Sequence, residues 1–302
     1  MFATALSGPI LGRIQATGSA SMKKTVVKQA SLKSLAGTAL QDWESEMSWE
    51  AIRALQMLGS PETLAMAQRF ATSKNRHKRA LAMYIASQLR RERYPKRWHS
   101  GSHEYAMEET QALLLAGLND PIANVVLAAI SGVGHRPHPS ALPALLAFAT
   151  HADANIRFQV AFALAHYHED ASVEALLALA ADPDDDTRDW ATFALGSMHE
   201  ADTAEIRERL WHNLGDSNES VSGEALAGLA SRKDERVIAV LLERLDDDCM
   251  VFELDAAEMM ASPLLLAPLN AIRNAVSRDE DSDSYWHNRL DAAIAACGGG
   301  EK

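Results

Sequence analysis

The sequence predicts an all-α protein, an αα-superhelix built as a solenoid of about eight helix pairs, and three observations predict it. Ile122, Ile156, Thr187 and Val221 occupy one repeat position, with steps of 34, 31 and 34 residues, when the copies are aligned on Ile130, Leu164, Leu195 and Leu229. Hydrophobic residues make up 47% of the chain but aromatic ones only 6%, the composition of helices packed closely through Ala and Leu rather than of a sheet. Helix-start signals punctuate the repeats, as in Gly59-Ser60-Pro61, a stop followed by an N-cap serine and a proline at the first helical position.

Residues 1–21 read as a flexible leader, because Gly8-Pro9 and Gly12 break their apolar run and no basic region opens them. One solenoid then spans 22–298, with 299–302 as a tail. A capping helix over 22–43 pairs with 48–58. A helix over 61–72 and one carrying Leu81, Ile85 and Leu89 form the second unit. Residues 91–104, RERYPKRWHSGSHE, break the period and hold Pro95 and Gly101, so they are expected as a basic insertion of irregular structure. A helix over 107–118 and one opened by Asp120-Pro121 make unit three. SALPALLAFA, ASVEALLALA and TAEIRERLWHNL open units four to six. Unit seven pairs DERVIAVLLERL with 251–260. Unit eight starts at Ser262-Pro263, is expected to kink at Pro268, and after the acidic loop SRDEDSDS ends in a helix over 285–297.

The second helices of the clearest repeats read DANIRFQVAFAL and DDDTRDWATFALG, acids first and then an arginine. Tandem pairs of this kind resemble HEAT-like repeats of the short bacterial type found in phycobilin lyases, over about residues 45–297. The resemblance implies an armadillo-type solenoid, in which an aspartate before the second helix and an arginine within it form a ladder between neighbours. Asp153/Arg157 and Asp185/Arg188 suit that role. It also implies a surface for partners rather than a shared chemistry.

Charge divides unevenly along the chain. Residues 1–100 carry 16 Lys+Arg against 6 Asp+Glu, the rest 13 against 35, within a net charge of −12. The long acidic part points to a basic or mixed protein partner. A basic patch, Lys74, Arg76, Lys78, Arg79, Arg90, Arg91, Arg93, Lys96 and Arg97, is interleaved with Tyr94, Trp98 and His99, a mix suited to phosphates and stacked bases, to the protein's own acidic tract, or to a partner's acidic face. The acidity of residues 101–302 opposes nucleic acid as the main partner. Two cysteines in different units, Cys249 and Cys297, and no run of the 18 or so apolar residues a membrane helix needs point to a cytoplasmic protein.

No catalytic motif is present, and neither a cofactor nor a metal is expected. His-Glu pairs at His103, His168 and His199 invite comparison with the iron-holding pairs of the HEAT-repeat deoxyhypusine hydroxylase, but the corresponding helix positions here are Phe158-Gln159, Asp189-Trp190 and Gly223-Glu224. Two of the His-Glu pairs, 31 residues apart at His168 and His199, fall in the turns after the helices instead. The candidate partner site is a band on the second helices, with Phe158, Phe162, Trp190 and Phe193 as apolar anchors, Asp189 beside them, and Glu224, Asp255 and Glu258 as an acidic rim; packing between neighbouring helices is the competing role. The expectation is a non-enzymatic binding scaffold, in one form an inhibitor or immunity-type protein for a basic toxin. A lyase- or chaperone-like subunit handling a bilin-type chromophore, and nucleic-acid binding through residues 74–97, are the alternatives.

Overall fold

The structure is a computed structural model that describes residues 31–43, 45–92, 102–276 and 284–298. The expected leader and tail, and Arg93, Lys96 and Arg97 of the basic patch, lie outside the described residues. Among the described residues sixteen α-helices follow one another in eight pairs. They are α1 Leu32–Gln41 and α2 Glu46–Gln56, α3 Pro61–Ala71 and α4 Arg76–Ser87, α5 Met107–Gly117 and α6 Ala123–His135, and α7 Leu142–Phe148 and α8 Ala154–Leu164. Then come α9 Asp170–Leu179 and α10 Asp185–Phe193, α11 Ala204–Asn213 and α12 Glu219–Ser231, α13 Arg236–Arg244 and α14 Val251–Met260, and α15 Leu266–Ala275 and α16 Ser284–Cys297. The all-α repeat architecture is therefore as the sequence predicts.

The chain divides into two compact units, residues 1–167 with the first four pairs and 168–302 with the last four. Within the first, α2, α4, α6 and α8 pack in succession; within the second, α10, α12, α14 and α16 do the same. Each first helix buries a narrow stripe against its partner, for example Leu35 and Ala39 in α1 or Ile206 and Leu210 in α11, all at most 5% exposed. The second helices bury more of their circumference, as in α6, where Val125, Ala128, Ala129, Ile130 and Val133 are all fully or almost fully buried.

The helix starts are built by short polar side chains. Ser31, Ser45, Ser60, Asn75, Asp153, Asp184, Thr203 and Asn218 each accept a hydrogen bond from a backbone N–H of the first turn. These caps correct the register of unit three. The N-caps of α6, α8, α10 and α12 are Ile122, Asp153, Asp184 and Asn218. Val125, not Ile122, therefore matches Ile156, Thr187 and Val221, and the spacing of the caps is 31, 31 and 34 residues. The expected kink at Pro268 is also corrected. A 3-10 turn over Pro263–Leu265 precedes α15, and Pro268 falls in the first turn of α15, where its missing N–H costs no helical bond.

The insertion is not irregular throughout. β1 (Arg90–Glu92) and β2 (Ser102–Glu104) pair antiparallel with Arg90 opposite Glu104, a two-stranded ladder that corrects the expectation of no sheet. Its ends are tied into the array because their backbone groups find partners there. The Gly59 N–H donates to Arg90 O at 2.8 Å, the Tyr105 N–H donates to Leu89 O at 2.9 Å, and Arg91 Nε donates to Gly59 O at 2.6 Å.

Candidate functional site

An arginine four residues after the N-cap recurs in α4, α8 and α10, and it is structural, with a partner that differs from the one expected. Arg79, Arg157 and Arg188 each donate through Nη1 to the carbonyl two residues before the N-cap, Ser73, His151 and Asp182, at 2.9, 2.8 and 2.9 Å. Arg79 reaches on to Asp120 at 2.6 Å and Arg188 to Asp216 at 2.9 Å, one repeat further along. These aspartates are held below the usual carboxylate range, chiefly by the arginine hydrogen bond. Asp153 instead caps α8, through Asn155 N at 2.9 Å. Asp185 binds Arg188 within its own helix at 2.8 Å.

The expected basic patch divides in the same way. Arg79 belongs to the ladder, Arg90 pairs with Glu104 at 3.0 Å, and Arg91 lies over the Tyr105 ring, 4.3 Å from its centre. Lys74 and Arg76 are exposed at the α3–α4 turn and Lys78 lies 5.4 Å from the centre of the Phe70 ring.

In the first compact unit the aromatic anchors are packing residues. Phe158 is 8% exposed, which removes it from the proposed apolar band. Phe162 is half-buried and lies across α6: a Cβ on Gly134 would come within 2.3 Å of its ring. It is edge-on to His135 at 5.1 Å, whose imidazole is pushed down to about 4, first by burial and then by His166, Arg90 and Arg136. Inter-repeat packing thus accounts for Phe162, since a helix lacking a Cβ at that point invites a large side chain from its neighbour.

The second compact unit is different. Trp190 and Phe193 on α10 are half-buried and meet edge to face at 5.5 Å. α10 continues into one π turn, Ala194–Met198, a distortion often found beside functional sites. Next to Trp190, Asp189 is half-buried, and its Oδ1 is shielded from solvent with no hydrogen-bond partner among the described residues. Burial, and then Asp186, push its carboxyl up to about 6. On the adjoining α12, Glu224 is pushed up to about 7 by burial and by the charge of Asp189. Two carboxyls on neighbouring second helices thus share a poorly solvated place beside two rings.

The rest of the rim is already neutralised. Asp255 and Glu258 on α14 both pair with Arg289 of α16, which removes them as free acids. Apolar periodicity does not single out Arg289, although a cation 34 and 31 residues after two acids is one repeat step away. Nor does that pattern single out Phe252 of α14. Its ring covers Gly223 of α12, where a Cβ would come within 2.3 Å. Among the described residues no group of three or more His, Cys, Asp or Glu side chains is arranged to hold a metal ion, and the described helices include none long and apolar enough to cross a membrane.

The family model for HEAT repeats matches residues 111–196 and 182–261. Among solved structures, YibA of Escherichia coli is similar, with a TM-score of 0.69 and 25% identity over 94% of this chain and 99% of that one. A designed armadillo repeat protein in complex with the peptide (KR)4 has a TM-score of 0.42 and 13% identity, over 66% of this chain and 98% of that one. Human deoxyhypusine hydroxylase in complex with glycerol has a TM-score of 0.32 and 15% identity, over 91% and 98%. No curated protein matches the chain.

Proposed function

This chain belongs to the HEAT-repeat family, and from that premise we propose that it is a non-enzymatic scaffold that binds a basic or mixed protein partner on the second helices of its second compact unit. The observation that carries the reading is the pair Asp189 and Glu224, raised to about 6 and about 7 where no protein cation answers them among the described residues. A solvent-shielded carboxylate without a partner is costly to keep, whereas the guanidinium or ammonium group of a bound chain would lower both acids and complete their hydrogen bonds. Trp190 and Phe193 supply the apolar contact that gives such a site its energy, while the acids give it selectivity. Asp255 and Glu258, spoken for by Arg289, contribute only field.

The same chemistry favours arginine-rich over lysine-rich segments, because a planar guanidinium can bind a carboxylate through two N–H groups and stack on Trp190 at once. An inhibitor or immunity-type protein for a basic toxin is one form this takes, motivated by the acidity of residues 101–302.

Binding of an alternating Lys-Arg peptide, measured calorimetrically in buffers of different ionisation enthalpy near pH 6.5, tests the proposal. Protons should be released on binding, because the peptide's charge lowers both carboxyl pKa values. Asp189→Asn with Glu224→Gln should abolish that release and weaken binding about ten-fold or more. Binding of equal strength by the double variant would sink the assignment.

A further inference from the structure

Two stretches of this chain, each spanning most of a helix pair, carry charge of a single sign. Residues 63–91, covering most of α3 and all of α4, hold seven Lys and Arg and no acid; residues 168–187, covering α9 and the start of α10, hold seven Asp and Glu and no Lys or Arg. In the first, Arg79, Arg90 and Arg91 have internal partners as described above. Arg69, Lys74 and Arg76 are exposed and Lys78 half-exposed around Phe70, with no carboxylate within ion-pair distance among the described residues. In the second, Glu169 at the N-cap of α9, Asp170 and Glu174 on α9 and Asp186 on α10 are exposed, and no cation is paired to them among the described residues.

We propose that the chain self-associates, the cationic second helix pair of one copy docking on the acidic fifth helix pair of another. The argument is charge complementarity. Like charges crowded on one surface raise its energy, and each surface is relieved by the other; Asp186 is pushed up first by burial and then by Asp184 and Asp185. The two patches are different surfaces, so the contact is heterologous and each copy keeps one free patch for the next, which yields a ring or an open chain rather than a closed pair. The contact uses residues other than Asp189, Glu224, Trp190 and Phe193, and stands whether or not a basic partner binds there.

Exposed ion pairs are individually weak and screened by salt, so association should be concentration-dependent and lost at high ionic strength. The net charge of −12 on each copy opposes approach over long distances, but at about 0.1 M salt that repulsion fades beyond about 10 Å while contacting pairs still attract. Sedimentation velocity over a range of concentrations at about 0.1 M and about 1 M salt reads this out. The full chain should show species larger than the monomer at the lower salt only. Lys74→Glu with Arg76→Glu and Lys78→Glu should be monomeric at both, and so should Asp170→Lys with Glu174→Lys. An equimolar mixture of the two variants, each shown to be helical by circular dichroism, should regain association, because each keeps the patch the other lacks. A monomeric full chain at the lower salt, association that survives either set of reversals, or a mixture that stays monomeric would each overturn the proposal.

Discussion

Arg136 in the first compact unit and Arg232 in the second stand at the same repeat position, fourteen residues after the N-caps Ile122 and Asn218. Each caps the C-terminus of its own second helix and reaches back to the carbonyls that end the previous one. Arg136 donates to Ser87 O at the end of α4, to Leu89 O just beyond it, and to Tyr105 O. Arg232 donates to Leu195 O and Gly196 O beyond α10, and to His199 O and Ala201 O in the turn. The last carbonyls of a helix have no partner within it and carry the negative end of its dipole, so one guanidinium satisfies several of them at once.

The difference lies in what neutralises the arginine. For Arg232 it is Asp202, at 3.8 Å in a short turn. For Arg136, whose side chain is 0% exposed, it is Glu104 at the end of the insertion. Burial pulls both guanidiniums down, and the carboxylate opposes that pull in each case. The strand pair thus returns the chain to where a short turn would have delivered it, and Tyr105 offers the carbonyl that Ala201 offers in the other unit. An insertion is tolerated here because its ends are closed by the ladder, so the array does not register its length.

The comparison is tested most severely by Arg136→Ala. It withdraws the guanidinium from Ser87 O, Leu89 O, Tyr105 O and Thr110 Oγ1 and leaves Glu104 to Arg90 alone, and should cost about 3–5 kcal/mol, seen as a large fall in Tm. Asp202→Asn, at a carboxylate 42% exposed, should cost no more than about 1 kcal/mol. Similar losses for the two substitutions would show that the staples are not differently loaded. A milder cut replaces 93–101 by a two-residue turn. Thermal unfolding should then stay close to that of the full chain, whereas removing 90–104 entire should destabilise the first unit, because Glu104 goes with it.

The two units should also respond to pH in opposite directions. His135 has a folded pKa of about 4 against an ordinary value of 6.5. The folded state therefore binds fewer protons than the unfolded chain in that window, and the first unit loses stability as pH falls through it. Asp189 and Glu224, at about 6 and 7, do the reverse. The folded state holds protons that the unfolded chain, with carboxyl values near 4, has lost, so the second unit loses stability as pH rises from about 4 to about 7. Asp189→Asn with Glu224→Gln should raise Tm at pH 8 and leave it nearly unchanged at pH 4. His135→Gln should flatten the acid side alone. Hydrogen exchange, corrected for the intrinsic pH dependence of the rate, would locate each effect in its unit.

The smallest effect is expected at the ladder. Arg188→Lys keeps the charge but loses the paired N–H contacts to Asp216, and should cost about 0.5–1 kcal/mol by chemical denaturation.

The sequence by itself determined the helix pairs. Their apolar spacing, short polar caps and proline starts are local signals, and each of the eight pairs carries enough of them to be placed. The register of unit three escaped because apolar residues three apart satisfy the helical pattern equally well: Ile122 and Val125 are both acceptable until cap geometry chooses. Only the tertiary structure decided which aromatic rings pack between neighbouring helices. Phe162 and Trp190 look alike as outward-facing residues on second helices, yet Phe162 lies over Gly134 of its neighbour. Trp190 stands beside two acids, on a helix that ends in a π turn. Charge was legible as a sum and not as a site. Asp189, Glu224, Asp255 and Glu258 are equal in the sequence, but Arg289 reaches the last two from α16 and no described cation reaches the first two. That choice depends on which side chains adjoining helices bring within a few ångströms, and no single segment of the chain contains it.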